Sequence, residues 1–311
     1  MAASKIAIII LHWGDPKDTA ELLQSLAKVR EPAFKVFLID QTLELDLELP
    51  DFVELVRPSG NLGFAGGNNL GLKKAIDEDY DYALLLNNDT VVPPEFLAKL
   101  TAVLESQPKA AAVAPTILYS DPPDDVWFAG GTLSLRRGEA WHHGVIPSQL
   151  GQPGGHLKMD QITATQPQLV SFLTGCCLLM RLDAMRQIGV LDDRYFVYWE
   201  DADWCARATR LGYELYWQPQ AQITHKVSSA LGVNSPTYLY YIFRNNLLFV
   251  RKFVKWPWKL YAWSVLIKKV AKEKLKILVR YRKNYGQYFR LIVKAFWDNT
   301  RRHYGQLEEP K

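Results

Sequence analysis

The sequence predicts an α/β fold built on a mostly parallel sheet, with a helical C-terminal appendage. Three observations carry this. Short apolar runs alternate with segments of helical periodicity through the first third of the chain. Two of those runs end directly on acidic or amide residues. Beyond Pro236, apolar and aromatic residues recur near helical spacing with Lys and Arg between them.

Residues 5–11 form an apolar first strand, too short to span a bilayer and preceded by almost no basic region. Residues 18–29 carry Leu22, Leu23, Leu26 and Val29 at helical spacing, with Asp18 or Thr19 as N-cap. A second strand, 35–40, ends on Asp40, and 52–56 is a short third. Residues 70–76 read as a helix and 82–86 as a fourth, buried strand. Pro93-Pro94-Glu95 opens a helix running to about 106. Between 111 and 170, extended pieces broken by Pro122-Pro123, Gly130-Gly131 and Gly151-Gln-Pro-Gly-Gly155 suggest an antiparallel excursion and a mobile loop. Residues 168–180 resume a buried strand interrupted at Thr174-Gly175. A short helix at 183–188, a helix at 201–211 ending at Gly212, and a strand at 214–218 follow. In open sheets of this kind ligands bind at the carboxyl ends of the strands, where Asp40 and Asn87-Asn88-Asp89 lie.

The net charge of +4 hides an asymmetry. Residues 1–243 hold 19 Lys and Arg against 29 Asp and Glu, whereas 244–302 hold 17 against two, Glu273 and Asp298. An acidic body with a basic, aromatic tail implies two jobs on two parts. The tail fits a basic amphipathic helix lying in an anionic membrane interface, a homodimer face, or a helix packed on the body. Three cysteines, Cys176, Cys177 and Cys205, make no disulfide framework and read as buried thiols in a reducing, cytoplasmic setting.

Two clusters carry chemistry. Asn87-Asn88-Asp89 can hold a hard divalent cation, with His225 in Gln222-Ile-Thr-His-Lys226 completing it. Glu200-Asp201-Ala-Asp203 sets carboxylates among Tyr195, Phe196, Tyr198, Trp199 and Trp204. Such acids complement a helix dipole, but a dry, aromatic-walled carboxylate also has its pKa raised and can act as a base. A third segment, Asn61-Leu-Gly-Phe-Ala-Gly-Gly-Asn-Asn-Leu-Gly71, is a glycine-rich turn entering a helix, suited to an anion or to a plain tight turn. It has neither Rossmann nor Walker spacing.

Taken in order, these segments resemble the family 2 inverting glycosyltransferases, in particular their rhamnosyltransferase-like branch. The resemblance rests on residues 61–71, on Leu84-Leu-Leu-Asn-Asn-Asp-Thr90, on Thr174-Gly-Cys-Cys-Leu-Leu-Met180 leading to Gly189-Val-Leu-Asp192, and on residues 196–207 with Gly212-Tyr213 and His225. Tyr240-Tyr-Ile-Phe-Arg-Asn-Asn246 is similar to that branch's first C-terminal helix. Two departures stand out: Asp40-Gln-Thr-Leu-Glu-Leu-Asp46 replaces the family's usual Asp-Asn-x-Ser-x-Asp, and Asn87 replaces an Asp.

The resemblance implies a GT-A fold over residues 1–236, with 1–110 as the nucleotide-binding half, 111–236 as the acceptor half, and 237–311 as the basic helical region. It implies Asp201 as catalytic base and Mg2+ or Mn2+ held by Asp89, His225 and Asn87. Donor contacts are expected from His12, Asp40, Asn61, Gly63, Phe64, Gly66, Asn68, Asn87 and Asn88. Acceptor contacts are expected from Thr174, Gly175, Trp199 and Glu200. The donor expected is dTDP-rhamnose or a UDP-hexose, and the acceptor a lipid-linked saccharide at the inner face of the cell membrane. Two rivals are a catalytically silent scaffold of a polysaccharide-assembly complex and a nucleic-acid binder. Intact Asp89, Asp201 and His225 argue against the first; the acidic body and the absence of a nucleic-acid-binding signature argue against the second.

Overall fold

The computed structural model describes residues 4–146, 155–227, 235–280 and 285–307. Fourteen strands are found among them: β1 Ile6–His12, β2 Phe34–Asp40, β3 Val53–Val56, β4 Tyr82–Asn87, β5 Thr90–Val91, β6 Ala110–Tyr119, β7 Val126–Phe128, β8 Gly131–Ser134, β9 Glu139–His142, β10 Val145–Ile146, β11 Gly155–His156, β12 Gln168–Val170, β13 Cys177–Arg181 and β14 Glu214–His225. The helices are α1 Pro16–Leu26, α2 Gly63–Asp77, α3 Phe96–Ser106, α4 Leu182–Ile188, α5 Glu200–Arg210, α6 Pro236–Phe253, α7 Trp258–Arg280 and α8 Tyr285–Arg301.

The main sheet runs β12-β14-β6-β13-β4-β1-β2-β3, with β5 added to β14 and β7 to β6. The N-terminal part is parallel: β1 pairs with β2 and β4, and β2 with β3. β13 then inserts antiparallel between β4 and β6, and β14 returns parallel to β6. Ile6, Ile8, Ile9 and Ile10 of β1 are fully buried, as expected of a central parallel strand covered on both faces.

Element boundaries differ from the sequence expectation where glycine and proline are involved. α1 starts earlier, because Asp15 accepts from the Lys17 amide at 2.9 Å and Pro16 occupies the first turn. α2 begins at Gly63, so most of the glycine run lies inside the helix rather than in a turn before it. A Cβ on Gly71 would come within 2.6 Å of Ile9 Cγ2; glycine there lets the helix lie close on β1. The apolar stretch at 168–180 divides into two strands that do not pair: β12 joins β14, while β13 lies between β4 and β6. β14 runs past the expected end at 218, through an irregularity between Gln218 and Gln222, to His225. The expected mobile loop at 151–155 lies outside the described residues apart from Gly155, which pairs in β11. The expected helix to the chain end stops at Arg301 among the described residues.

α6 is not peripheral. Its Phe249 and Phe253 belong to the main core, and Arg244 and Asn245 are fully buried. α8 packs on α6, where Tyr240 donates to Asp298 at 2.6 Å. Among the described residues no helix is long and apolar enough to cross a membrane. All three cysteines are buried, free thiols.

Candidate active site

A cleft of about 550 Å³ opens along the carboxyl ends of β1 and β4. It brings together residues far apart in sequence. Asn87, Asn88 and Asp89, then Thr174, Gly175 and Cys176, and Phe196, Val197, Tyr198, Glu200 and Asp201 all line it. His225, Asn61, Gly63 and Phe64 also line it.

The shortest strand of the sheet creates the first polar pair. β5 follows Asp89 directly and places Thr90 opposite His225 of β14. His225 Nε2 thereby sits 3.0 Å from Asp89 Oδ1, with both side chains almost fully buried. Burial works against a charged imidazole, but Cys176 and Asp89 outweigh it and raise His225. A carboxylate oxygen and an imidazole nitrogen, with Asn87 lining the same cleft, suit Mg2+ or Mn2+. Here the two side chains are hydrogen-bonded to one another. The described residues hold no group of three His, Cys, Asp or Glu that could bind a metal alone, so other positions would fall to ligand oxygens.

The second polar element is Asp201, in the first turn of α5. Its Oδ2 accepts from the Gly175 amide at 3.2 Å and its Oδ1 from the Ala202 amide at 2.7 Å. Burial raises its pKa to about 6, with the amide bonds opposing. Glu200 is 4% exposed, and its Oε2 has no hydrogen-bond partner. Burial, then the neighbouring Asp201, pushes its pKa well up and favours the neutral acid. Both carboxyls are thus shifted upward, side by side. Asp203 plays a different part: fully buried, it accepts from Tyr195 at 3.0 Å and Arg207 at 2.8 Å and pairs with Lys252 of α6.

The turn before α5 is strained. Phe196, Tyr198 and Trp199 have φ of 65°, 67° and 77° without being glycine. At Phe196 ψ is −59°, and the Val197 amide donates to Tyr195 O at 2.8 Å, the rare γ-turn form. Each such conformation costs on the order of 1–3 kcal/mol and persists only where its surroundings hold it.

Several expected donor residues lie elsewhere. Asp40 is fully buried, and its carboxylate accepts from Thr42 N and Oγ1, Leu43 N, Leu45 N and Arg57 Nε. Burial would raise its pKa, but the Thr42, Leu45 and Arg57 bonds outweigh this and lower it. Asp40 builds the turn after β2 and has no face on the cleft, whereas its neighbour Gln41 does. His12 is buried against Thr19 Oγ1 at 2.8 Å; the same hydroxyl accepts from Asn88 Nδ2 at 3.1 Å, so His12 reaches the cleft only through Thr19. Gly66 and Asn68 are not among the lining residues, and Asn68 Nδ2 donates to Phe64 O at 2.9 Å. Trp199 is likewise off the lining and packs on Phe249. The α2 amides are partly engaged: Gly63 N donates to Asn61 Oδ1 at 2.8 Å and Ala65 N to Phe196 O at 3.1 Å.

Sequence reasoning missed Trp13, Gln41, Trp127, His142 and Tyr238, all of which line the cleft. Trp13, 43% exposed, directly follows β1, so the strand-end rule applied to Asp40 and Asn87 would have found it. Trp127 and His142 stack edge-on to one another from β7 and β9, a placement with no local signature.

Comparison with known proteins agrees with this architecture. A family model described as Glycosyltransferase like family 2 matches residues 3–246. The chain is 24% identical over 211 residues to the low-salt glycan biosynthesis hexosyltransferase Agl10 of Haloferax volcanii, covering 66% of this chain and 62% of that protein. It is 24% identical over 248 residues to the N-acetylglucosaminyl-diphospho-decaprenol L-rhamnosyltransferase of Mycobacterium tuberculosis, covering 75% of this chain and 80% of that one. Among solved structures, the mannosyltransferase PcManGT from Pyrobaculum calidifontis, in complex with GDP-Man and Mn2+, superposes with a TM-score of 0.52 at 13% identity. That superposition covers 95% of this chain and 86% of the other, and the shared architecture is the GT-A fold. With the ordered motifs in one cleft and the family model spanning most of the chain, the protein belongs to the glycosyltransferase family 2.

Proposed function

We propose that this protein transfers a hexose, with rhamnose the favoured sugar, from a nucleoside diphosphate to a saccharide hydroxyl on a lipid carrier. Support comes from the rhamnosyltransferase relative, whose name specifies a diphospho-decaprenol saccharide. The observation that carries the chemistry is the convergence of Asp201 and the Asp89–His225 pair on one cleft.

Asp201 takes the proton from the acceptor hydroxyl as it attacks the anomeric carbon. With its pKa near 6, it is deprotonated at neutral pH yet more basic than an exposed carboxylate. The sugar–phosphate bond breaks on the opposite face, so a single displacement inverts the anomeric centre. Glu200, whose pKa burial pushes well up and whose Oε2 has no partner, can when it carries its proton donate a hydrogen bond to the bound acceptor. Trp13 and Gln41 at the donor end offer a stacking face and an amide to a nucleobase. A divalent cation on Asp89 and His225, with Asn87, would offset the charge of the departing diphosphate.

We assign the basic C-terminal region to the membrane surface where such an acceptor resides. Trp256, Trp258, Leu260, Tyr261, Trp263 and Ile267 are exposed on or just before α7, interspersed with lysines.

The test is transfer by the purified chain from dTDP-rhamnose, and from UDP-hexoses, to a polyprenyl-diphosphate saccharide with Mn2+. Transfer with inversion is expected. It should fall at least about 100-fold in Asp201→Asn, with donor binding retained. Chelation should abolish it. Near-wild-type transfer by Asp201→Asn would remove the base assignment.

A further inference from the structure

The strained turn that delivers Asp201 is held from outside the sheet. Asn245 of α6 is fully buried, and its Nδ2 lies 2.8 Å from three carbonyl oxygens, those of Tyr195, Val197 and Tyr198. These carbonyls belong to the segment whose positive-φ residues would not hold their conformation unaided. Arg244 fixes the amide in turn. Its Nε donates to Asn245 Oδ1 at 2.9 Å, and its Nη2 donates to the Tyr195 carbonyl at 2.9 Å. A guanidinium donates only, so this bond settles which end of the Asn245 amide faces the turn.

The turn is tied equally to the donor side of the cleft. Phe196 O accepts from Ala65 N in the first turn of α2, and a Cβ on Gly63 would come within 2.5 Å of the same oxygen. Residues 196–199 are therefore clamped between the element that borders the donor and a C-terminal helix. The next two residues are Glu200 and Asp201.

We propose that Asn245, oriented by Arg244, is the positioning residue for the Asp201 carboxylate, which makes α6 part of the catalytic unit. The inference rests on Asp201 acting as the base. The family match, which runs to residue 246, includes this pair. The effect is geometric: displacing a reacting group by about 1 Å is enough to cost about 100-fold in rate.

The test uses the full chain with Asn245→Ala and Asn245→Ser, the hydroxyl being able to serve one carbonyl at most. Asn245→Ser and Arg244→Lys provide milder lesions should Asn245→Ala fail to fold. Two readouts are taken: kcat for transfer alongside donor-nucleotide affinity, and amide hydrogen exchange across the molecule. The expected result is a kcat about 100-fold lower in Asn245→Ala and intermediate in Asn245→Ser, with nucleotide affinity unchanged. Exchange should quicken at 197–203 and stay slow in the central strands. Unchanged kcat would overturn the proposal. So would nucleotide affinity falling in step with kcat, which marks general loosening. Unchanged protection at 197–203 would overturn the clamp whatever the transfer rate. Wild-type chain and Asp201→Asn run alongside; a wild type that transfers nothing defeats the functional reading, while the exchange result still judges the clamp.

Discussion

Asp201 carries two consequences that differ in sign. In the base role proposed for it, Asp201 must be ionised, so transfer should decline as pH falls through about 6, which a pH profile of kcat will show. For stability, its folded-state pKa lies above the ordinary Asp value, so the folded protein binds more protons than the unfolded chain between roughly pH 4 and 6. The charged carboxylate therefore destabilises the fold fully above that window and not below it. Asp201→Asn should raise the denaturation free energy by about 1–3 kcal/mol at pH 7.5 and leave it nearly unchanged at pH 4. Chemical denaturation at the two pH values checks this. Equal effects at both would mean that desolvation of the charge is not what burdens the site. How far single residues were legible varied with what surrounds them. The placement of Asp89, Asp201 and His225 in one cleft was legible because their motifs mark strand and helix ends. The surroundings of Asp40 were not legible, because a carboxylate after a strand looks the same in sequence whether it faces a ligand or caps its own turn, and here five donors claim it.

At the scale of elements, α2 shows how a glycine run can mislead. The run invited a phosphate-binding reading, yet Gly71 lies against Ile9 and Gly67 within 3.0 Å of Leu11 Cδ2 once a Cβ is added. Gly71→Ala should force α2 off β1 and destabilise the fold by about 1–3 kcal/mol, with the loss seen in chemical denaturation. An unaffected midpoint would show that the helix can slide to admit a methyl group. Long apolar runs such as β1, β2 and β4 were legible because central parallel strands must be apolar throughout. β5 was not: two residues carry no periodicity, and only pairing with β14 gives them a structure. The same holds for Asn245, whose partners are nearly fifty residues away in sequence.

On the scale of the whole molecule, charge and aromatic surface are segregated. The exposed aromatics of 256–267 lie on or just before α7, and 244–302 carries an excess of Lys and Arg, whereas 1–243 is acidic. The protein should float with vesicles containing anionic lipid and stay behind with neutral ones, and added salt should weaken the attachment. Replacing Trp256, Trp258 and Trp263 with Ser should abolish flotation while leaving transfer to a water-soluble acceptor intact. Recovery in the unbound fraction with both vesicle types would return the tail to packing or pairing between copies. Arg244 and Asn245 are fully buried and Phe249 and Phe253 belong to the main core, so α6, though charged and aromatic and beyond residue 236, packs as part of the body.

The described cleft walls include three acidic side chains, Asp89, Glu200 and Asp201, but neither lysine nor arginine. In the proposed reaction a spent nucleotide, carrying more negative charge than the donor it came from, meets no lysine or arginine there, and His225 is already paired with Asp89. Its residence time should follow the supply of free Mn2+ or Mg2+ around the enzyme, so turnover would slow by product retention when that ion is abundant and by poor capture when it is scarce.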